Sequence, residues 1–245
     1  MTKHYGLIGY PLGHSFSAGF FKDKFEKLNL DAAYHLYEIT EIDALPQLLN
    51  QSNPPVGLNV TIPFKVEVLK YLHELSDEAE EIGAVNCIRL EGNKLIGYNT
   101  DWIGFKNSLL PHLKLWHQQA LILGAGGATL AVKFALDKLG IKHHTVSRDP
   151  EKGDFTYEDL NFAIIRSHQI IINTTPLGMY PDENNAPEIP YEFITSKHLA
   201  FDLIYNPAET VFLKKAKQQQ ASTLNGLEML SIQAEKSWEI WNNKF

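Results

Sequence analysis

Residues 120–128 read Ala120-Leu121-Ile122-Leu123-Gly124-Ala125-Gly126-Gly127-Ala128. The four apolar residues form a run too short for a helix and read as a buried strand. A helical pattern follows the glycines and runs to Leu139. A strand that turns on Gly-x-Gly-Gly into a helix is the arrangement that holds the pyrophosphate of a dinucleotide. Gly124 permits the tight turn, Gly126 lets the backbone approach the phosphates, and the anion sits at the helix N-terminus. The last position of the Gly-x-Gly-x-x-Gly pattern holds Thr129 instead of Gly or Ala. Taken alone, the stretch also fits an ordinary tight strand-to-helix turn.

Downstream, residues 143–147 read as a second strand ending in Ser147-Arg148-Asp149. A site specific for NAD places an acid there, on the ribose hydroxyls. Here Arg148 stands where a guanidinium can hold the 2′-phosphate of NADP, with Lys152 one turn on. The alternative is a solvated surface arginine, with Asp149 either repelling the phosphate or facing away. Residues 162–165 are a weak apolar stretch. Strands are expected at 169–173 and 199–204, and a lysine-rich helix at 209–219. After Gly226 comes an amphipathic helix with Leu227, Leu230, Ala234, Trp238 and Trp241 near one face.

Upstream, strand and helix also alternate. Strands are expected at 5–9, 34–39 and 57–61, and helices at 20–28, 42–50 and 66–75, with a polar loop at 11–17. Residues 84–90 and 94–98 flank Glu91-Gly92-Asn93 as a hairpin. Alternation of this kind gives an α/β fold with a mostly parallel sheet. The boundary between the two series falls in the helical stretch 102–117.

The chain has 245 residues and a formal net charge of 22 − 29 = −7. That length holds one large domain or two smaller ones. The acidic balance disfavours nucleic acid or an anionic membrane as partner, since both need a basic patch. The single cysteine, Cys87, excludes an internal disulfide, and none of the ten histidines shows a metal-ligand spacing. With no run of about 18 apolar residues and no targeting signal, a soluble cytoplasmic protein is expected.

Ligands of open α/β sheets bind outside the carboxyl ends of the strands. Lys65 in Asn59-Val60-Thr61-Ile62-Pro63-Phe64-Lys65 and Asp101 in Asn99-Thr100-Asp101 each follow a strand end. Together they can move a proton at a carbonyl or hydroxyl carbon, or simply tie two loops together as an ion pair. Ser15 and Ser17, in an extended loop, put two hydroxyls on one side, suited to a carboxylate; one of them can instead cap the next helix. Asn86 can bond a substrate hydroxyl or a neighbouring loop. Gln233, inside the last helix, is expected on its solvated face.

These residues sit in motifs that occur in one order along nearly the whole chain. They are Gly9-Tyr10-Pro11-Leu12-Gly13-His14-Ser15-Phe16-Ser17, the Asn59 to Lys65 stretch, Gly83-Ala84-Val85-Asn86, Asn99-Thr100-Asp101-Trp102-x-Gly104-Phe105, the glycine turn, Asn173-Thr174-Thr175-Pro176-Leu177-Gly178-Met179 and Asn225-Gly226-Leu227-x-Met229-Leu230. As a set they closely resemble the shikimate dehydrogenase family. The resemblance implies NADPH-dependent reduction of 3-dehydroshikimate to shikimate, in the route to aromatic amino acids. It implies a substrate-binding domain over residues 1–103 and a Rossmann-like NADP-binding domain over 104–226, with the helix from about 227 to 245 packing back on the first. By position, Ser15 and Ser17 bind the substrate carboxylate, and Thr61, Lys65, Asn86 and Asp101 contact the ring hydroxyls. Lys65 and Asp101 are the catalytic pair, and Tyr205 and Gln233 complete the pocket. Gly124, Ala125, Gly126, Gly127 and Ala128 hold the pyrophosphate. Ser147, Arg148 and Lys152 stand at the 2′-phosphate, and Leu203 and Gly226 line the nicotinamide with their backbones.

The sequence departs from the family pattern at Ala18, Cys87, Ser147 and Asp149, and at Glu228, where a glycine is usual. A quinate/shikimate dehydrogenase of the same superfamily, using NAD, is a rival reading. So is a non-catalytic dinucleotide-binding regulator. A small-molecule substrate, NADP(H) and no metal are expected, in a monomer or a homodimer.

Overall fold

The computed structural model describes residues 2–13 and 15–243; His14 of the first motif lies outside the described residues. The chain divides into two compact units. Unit 1 runs up to Ile103 and includes the residues from Ser231 on; unit 2 is Gly104–Leu230.

Unit 1 carries, in order, β1 (Lys3–Gly9), α1 (Phe16–Lys27), β2 (Ala32–Glu38), a 3-10 turn at Ile42–Ala44 and α2 (Leu45–Leu49). Then come β3 (Gly57–Val60), a 3-10 turn at Glu67–Tyr71, β4 (Glu74–Leu75), α3 (Asp77–Ile82), β5 (Cys87–Glu91), β6 (Lys94–Tyr98) and the start of α4 (Asp101–Leu109). The sheet order is β2-β1-β3-β5-β6-β4. β1 pairs parallel with β2 and β3, and β4 with β6, whereas β5 runs antiparallel to both neighbours. The expected hairpin is the reason for this mixed character. Glu91 pairs with Lys94 around Gly92, which takes φ 59, and a two-residue turn of that kind forces antiparallel strands.

β1 is buried on both faces. Tyr5 joins a layer with Phe21, Phe25 and Trp241, and Ile8 joins another with Ile42, Leu45 and Val68. Two expected elements come out differently. α1 starts at Phe16, so Ser17 lies in its first turn and not in an extended loop. Phe16, Phe20 and Phe21 form a run of ring contacts that carries the helix that far back. Residues 66–75 form a single 3-10 turn and then β4. His73 N–H donates to the Leu95 carbonyl and Ser76 N–H to that of Gly97, so pairing with β6 replaces further helical turns.

Unit 2 has a fully parallel sheet, β11-β10-β9-β7-β8. Its elements are β7 (Gln119–Leu123), α5 (Gly127–Lys138), β8 (Lys142–Val146), α6 (Phe162–Ser167), β9 (Ile170–Asn173), β10 (Leu199–Asp202), α7 (Val211–Gln218) and β11 (Ser222–Leu224). The weak apolar stretch at 162–165 is thus a helix. Asn161 caps it, its Oδ1 accepting from the N–H groups of Ala163 and Ile164. Leu121, Leu123, Val146, Ile171 and Phe212 share one buried cluster. Full burial of each such side chain contributes about 1.5–3 kcal/mol.

The last helix is α8 (Leu227–Trp241). Its inward face is rotated from the expected one: Leu227 is 46% exposed, while Met229, Gln233, Ala234, Ser237, Ile240 and Trp241 are buried. Trp241 sets the rotation. Its ring fills the space that a side chain at position 57 would take, and a Cβ on Gly57 would stand 2.5 Å from it. The indole N–H donates to the Ile88 carbonyl at 3.0 Å.

Candidate active site

In unit 1, the loops after β1 and β3 leave neighbouring parallel strands at the same end, and Tyr10 N–H donates to the Ile62 carbonyl. Thr61 presses on Gly9, where a Cβ would meet its Cγ2 at 2.4 Å. Four residues on, Lys65 Nζ donates to Asp101 Oδ2 at 2.6 Å, with both side chains largely buried. Asp101 is the first residue of α4, where the helix dipole favours a carboxylate. Its N–H donates to Asn99 Oδ1, and Asn99 Nδ2 donates to the Ala84 carbonyl, so the aspartate backbone is fixed from both sides.

Asn86 is the junction. Its Nδ2 donates to Asp101 Oδ1 at 2.8 Å, and its Oδ1 accepts from Thr100 N–H at 2.6 Å. Both oxygens of Asp101 are therefore engaged, one by Lys65 and one by Asn86. Of the two readings of Asn86, the structure shows the bond to the neighbouring loop, and it adds a bond to the acid. Gln233 corrects an expectation: it is buried, and its Oε1 lies 3.4 Å from both Asn86 Nδ2 and Thr100 Oγ1. The rotation of α8 fixed by Trp241 turns it inward.

The network continues through residues that sequence reasoning did not single out. Asn59 Nδ2 donates to the Asn86 carbonyl at 3.2 Å and to Ser237 Oγ at 2.9 Å, and its Oδ1 accepts from Tyr34 at 2.9 Å. Ser237 also donates to the Gln233 carbonyl and stands 3.3 Å from Thr100 Oγ1. The Tyr34 hydroxyl is hydrogen-bonded to Ser17, and burial holds its pKa well above the usual phenol value. The available signals were an asparagine inside the apolar strand β3 and a serine four residues after Gln233, on the same helix face. Ser15 occupies the N-cap position of α1, but its side chain makes no capping bond. Cys87 is buried under α8, and burial pushes its thiol up to about 12, so it stays protonated.

In unit 2, Gly124 takes φ 112, and a Cβ there would lie 2.7 Å from Thr174 Oγ1. Gly126 is the N-cap of α5, with open space where its Cβ would be. This fits a pyrophosphate laid on the helix N-terminus, beside Ala125, Gly127 and Ala128. Thr129, the departure from the glycine pattern, has a structural role: its Oγ1 bonds the Gly124 carbonyl at 3.0 Å and Thr174 Oγ1 at 2.8 Å. After β8, Ser147 Oγ accepts from Asp149 N–H, and the Asp149 carboxylate pairs with Lys152 at 3.3 Å. The Glu151 N–H, and then Lys152, hold the Asp149 pKa below the usual range. Arg148 is exposed. Beyond β10, Gly226 closes on Leu203, where a Cβ would meet the Leu203 carbonyl oxygen at 2.0 Å. Tyr205 follows on the same loop, half-buried. Asp202 anchors that loop by accepting from Asn173, Thr210 and the Ile204 N–H. Among the described residues, no group of three or more His, Cys, Asp or Glu side chains is placed to hold a metal.

Residues 7–88 match the family described as shikimate dehydrogenase substrate binding domain. A shikimate dehydrogenase (NADP(+)) of Methanococcus maripaludis strain C6 is 39% identical over 260 residues, covering 99% of this chain and 92% of that protein. The chain belongs to the shikimate dehydrogenase family. A crystal structure of a shikimate dehydrogenase in complex with NADP+ superposes with a TM-score of 0.88 at 36% identity, covering 99% of this chain and 90% of that one. The Thermus thermophilus shikimate 5-dehydrogenase, in complex with NADP(H) and shikimate, gives 0.87 at 31% identity, covering 99% and 94%. The family membership accounts for two α/β units, the second with a Rossmann-like parallel sheet.

Proposed function

We propose that this chain reduces 3-dehydroshikimate to shikimate, reversibly and with NADPH, as a cytoplasmic enzyme of aromatic biosynthesis. Unit 1 holds the substrate and unit 2 the cofactor. The observation that carries this is the Lys65–Asp101 pair at 2.6 Å, with Asn86 on the other carboxylate oxygen. NADPH, when bound, supplies the hydride for the ketone carbon. Lys65 faces the ketone oxygen, stabilises the charge that develops there and gives it a proton; in the reverse direction it takes the proton back. Asp101 holds the ammonium in place and accepts from a ring hydroxyl. Ser15 and Ser17 donate to the carboxylate, while Thr61, Asn86 and Gln233 bond the ring hydroxyls. In unit 2, the N–H groups of the glycine turn receive the pyrophosphate and Arg148 the 2′-phosphate. Since Asp149 is paired with Lys152, its charge is turned from Arg148 toward a cation.

The test is steady-state kinetics with shikimate and quinate, each with NADP and NAD, read by absorbance of the reduced nicotinamide. The highest kcat/KM is expected for shikimate with NADP. Preference for quinate or NAD would move the chain to the rival reading. Cofactor binding without turnover of either substrate would make it a regulator.

A further inference from the structure

The loop after β8 sets acids among its cations. Residues 147–154 read Ser147-Arg148-Asp149-Pro150-Glu151-Lys152-Gly153-Asp154, two cations against three carboxylates, a net charge of 2 − 3 = −1. A 2′-phosphate would bring about two more negative charges to this corner. An NAD site, in contrast, places an acid at this strand end to accept from the ribose hydroxyls.

The three acids are not equivalent. Asp154 Oδ2 accepts from Thr145 N–H at 2.7 Å, so that carboxylate is tied to β8. Glu151 is exposed. Asp149 is built into the turn that follows Arg148. Its N–H donates to Ser147 Oγ at 3.1 Å, its Oδ1 accepts from Glu151 N–H at 3.1 Å, and its Oδ2 pairs with Lys152 Nζ at 3.3 Å. Lys152 N–H closes the turn on the Asp149 carbonyl at 3.0 Å. The carboxylate is thus held by backbone on both flanks, and the Glu151 N–H and then Lys152 keep it ionised. Lys152 and Asp149 are 67% and 45% exposed, so their pair is weak and opens for a stronger anion. A phosphate that takes Lys152 leaves a charged carboxylate behind without its cation.

We propose, on the reading that Arg148 receives the 2′-phosphate, that Asp149 is a specificity-determining residue acting against NADP. It withholds Lys152 from the phosphate and repels the phosphate itself, and so narrows the preference for NADP over NAD. A group that penalises one ligand sets specificity as well as one that attracts the other. The 2′-hydroxyl of NAD is neutral, so it meets neither penalty and can donate to the carboxylate. Arg148 and Asp149, side by side, therefore serve the two cofactors in opposite senses, and the loop remains an NADP site of reduced selectivity.

Equilibrium binding to the full chain, read by isothermal titration calorimetry, tests this. The ligands are NADP, NAD, adenosine 2′,5′-bisphosphate and adenosine 5′-phosphate; the last two differ only in the 2′-phosphate. Asp149→Asn removes the charge and keeps the side-chain oxygen that accepts from Glu151 N–H. Both 2′-phosphate ligands are expected to bind this variant about tenfold more tightly, while NAD and adenosine 5′-phosphate bind no more tightly than before. In 1 M salt, where charges are screened within about 3 Å, the gain should fall below about twofold. Glu151→Gln removes an equal charge without releasing Lys152 and should give a clearly smaller gain. Unchanged binding of both 2′-phosphate ligands to Asp149→Asn, an equal gain for NAD, a gain that persists in 1 M salt, or an equal gain from Glu151→Gln would each overturn the proposal. If the wild type binds adenosine 2′,5′-bisphosphate no more tightly than adenosine 5′-phosphate, the placing of the 2′-phosphate at Arg148 falls, and the role of Asp149 falls with it. A wild type that does discriminate, beside a variant that discriminates no better, leaves Arg148 in place and removes Asp149 alone.

Discussion

The two candidate ligand regions are built on opposite plans. In unit 1 the polar side chains are buried and bonded to one another: Ser17, Tyr34, Asn59, Ser237, Thr100, Asn86, Asp101 and Lys65 form one connected set. In unit 2 the candidate site is mainly backbone: Gly124, Gly126 and a hydroxyl clamp from Thr129 shape the turn, while Arg148 is exposed. A small polyol has groups on every side and needs many side chains at fixed positions. A phosphate needs N–H groups and a cation, the roles proposed for the turn and for the exposed Arg148. Changes in unit 1 should therefore be strongly coupled, and changes in unit 2 nearly independent.

The largest expected effect is Lys65→Ala. It removes the proton donor and should lower kcat by about 10³, with the Kd for NADP unchanged by fluorescence titration; near-normal turnover would break the assignment. Because Asp101 acts on the proton transfer through Lys65, Asp101→Asn added to that change should lower kcat little further, its lost hydroxyl bond showing in KM, and multiplicative losses in kcat would show that the network is not one unit. Next comes Arg148→Ala, which loses a charge-assisted bond. We expect KM for NADP to rise about 10- to 100-fold, KM for NAD to stay constant, and the loss to add to that of Lys152→Ala. An equal effect on both cofactors would return Arg148 to the role of a surface residue.

Ser237→Ala takes one acceptor from Asn59 and, two bonds on, loosens Asn86. Expected are a kcat about tenfold lower and roughly 1–3 kcal/mol less stability. The kcat loss should be absent in an Asn59→Ala background, as a double-mutant cycle would show. The smallest effect concerns Asp202 in unit 2, whose pKa burial raises from 3.8 to about 6. The folded chain takes up this proton below about pH 6, whereas the unfolded chain stays ionised down to 3.8. This group's contribution to stability therefore increases as pH falls from about 6 to about 4, and is flat above and below that window. The Tm difference between wild type and Asp202→Asn should shift in favour of the wild type over that window. A difference independent of pH would remove Asp202 as a titrating group.

The two plans also differ in how legible they were. The glycine turn of unit 2 is local: strand, turn and helix are contiguous, so spacing alone located Gly124 and Gly126. Lys65 and Asp101 were legible as residues following strand ends, yet their 2.6 Å contact joins positions 36 residues apart. Ser17 was expected in a loop and lies in α1, because ring packing by Phe16, Phe20 and Phe21 outweighed the local polar pattern. Residues 66–75 were misread as a helix because the hydrogen bonds that stop it come from β6, which local periodicity does not register.

By itself the sequence determined the α/β class, the family and the glycine turn between strand and helix. These depend on residue type and short-range spacing, and are fixed before the chain folds. The helix position pointed Gln233 to solvent and the family resemblance pointed it to the pocket, and only the tertiary structure decided that it faces inward. That depends on the angle at which α8 docks, which Trp241 sets by filling the space beside Gly57. It likewise decided that Asn59 and Ser237 bind the two halves of the polar network, 178 residues apart. Burial and long-range hydrogen bonding select such partners among many polar residues that look alike in the chain.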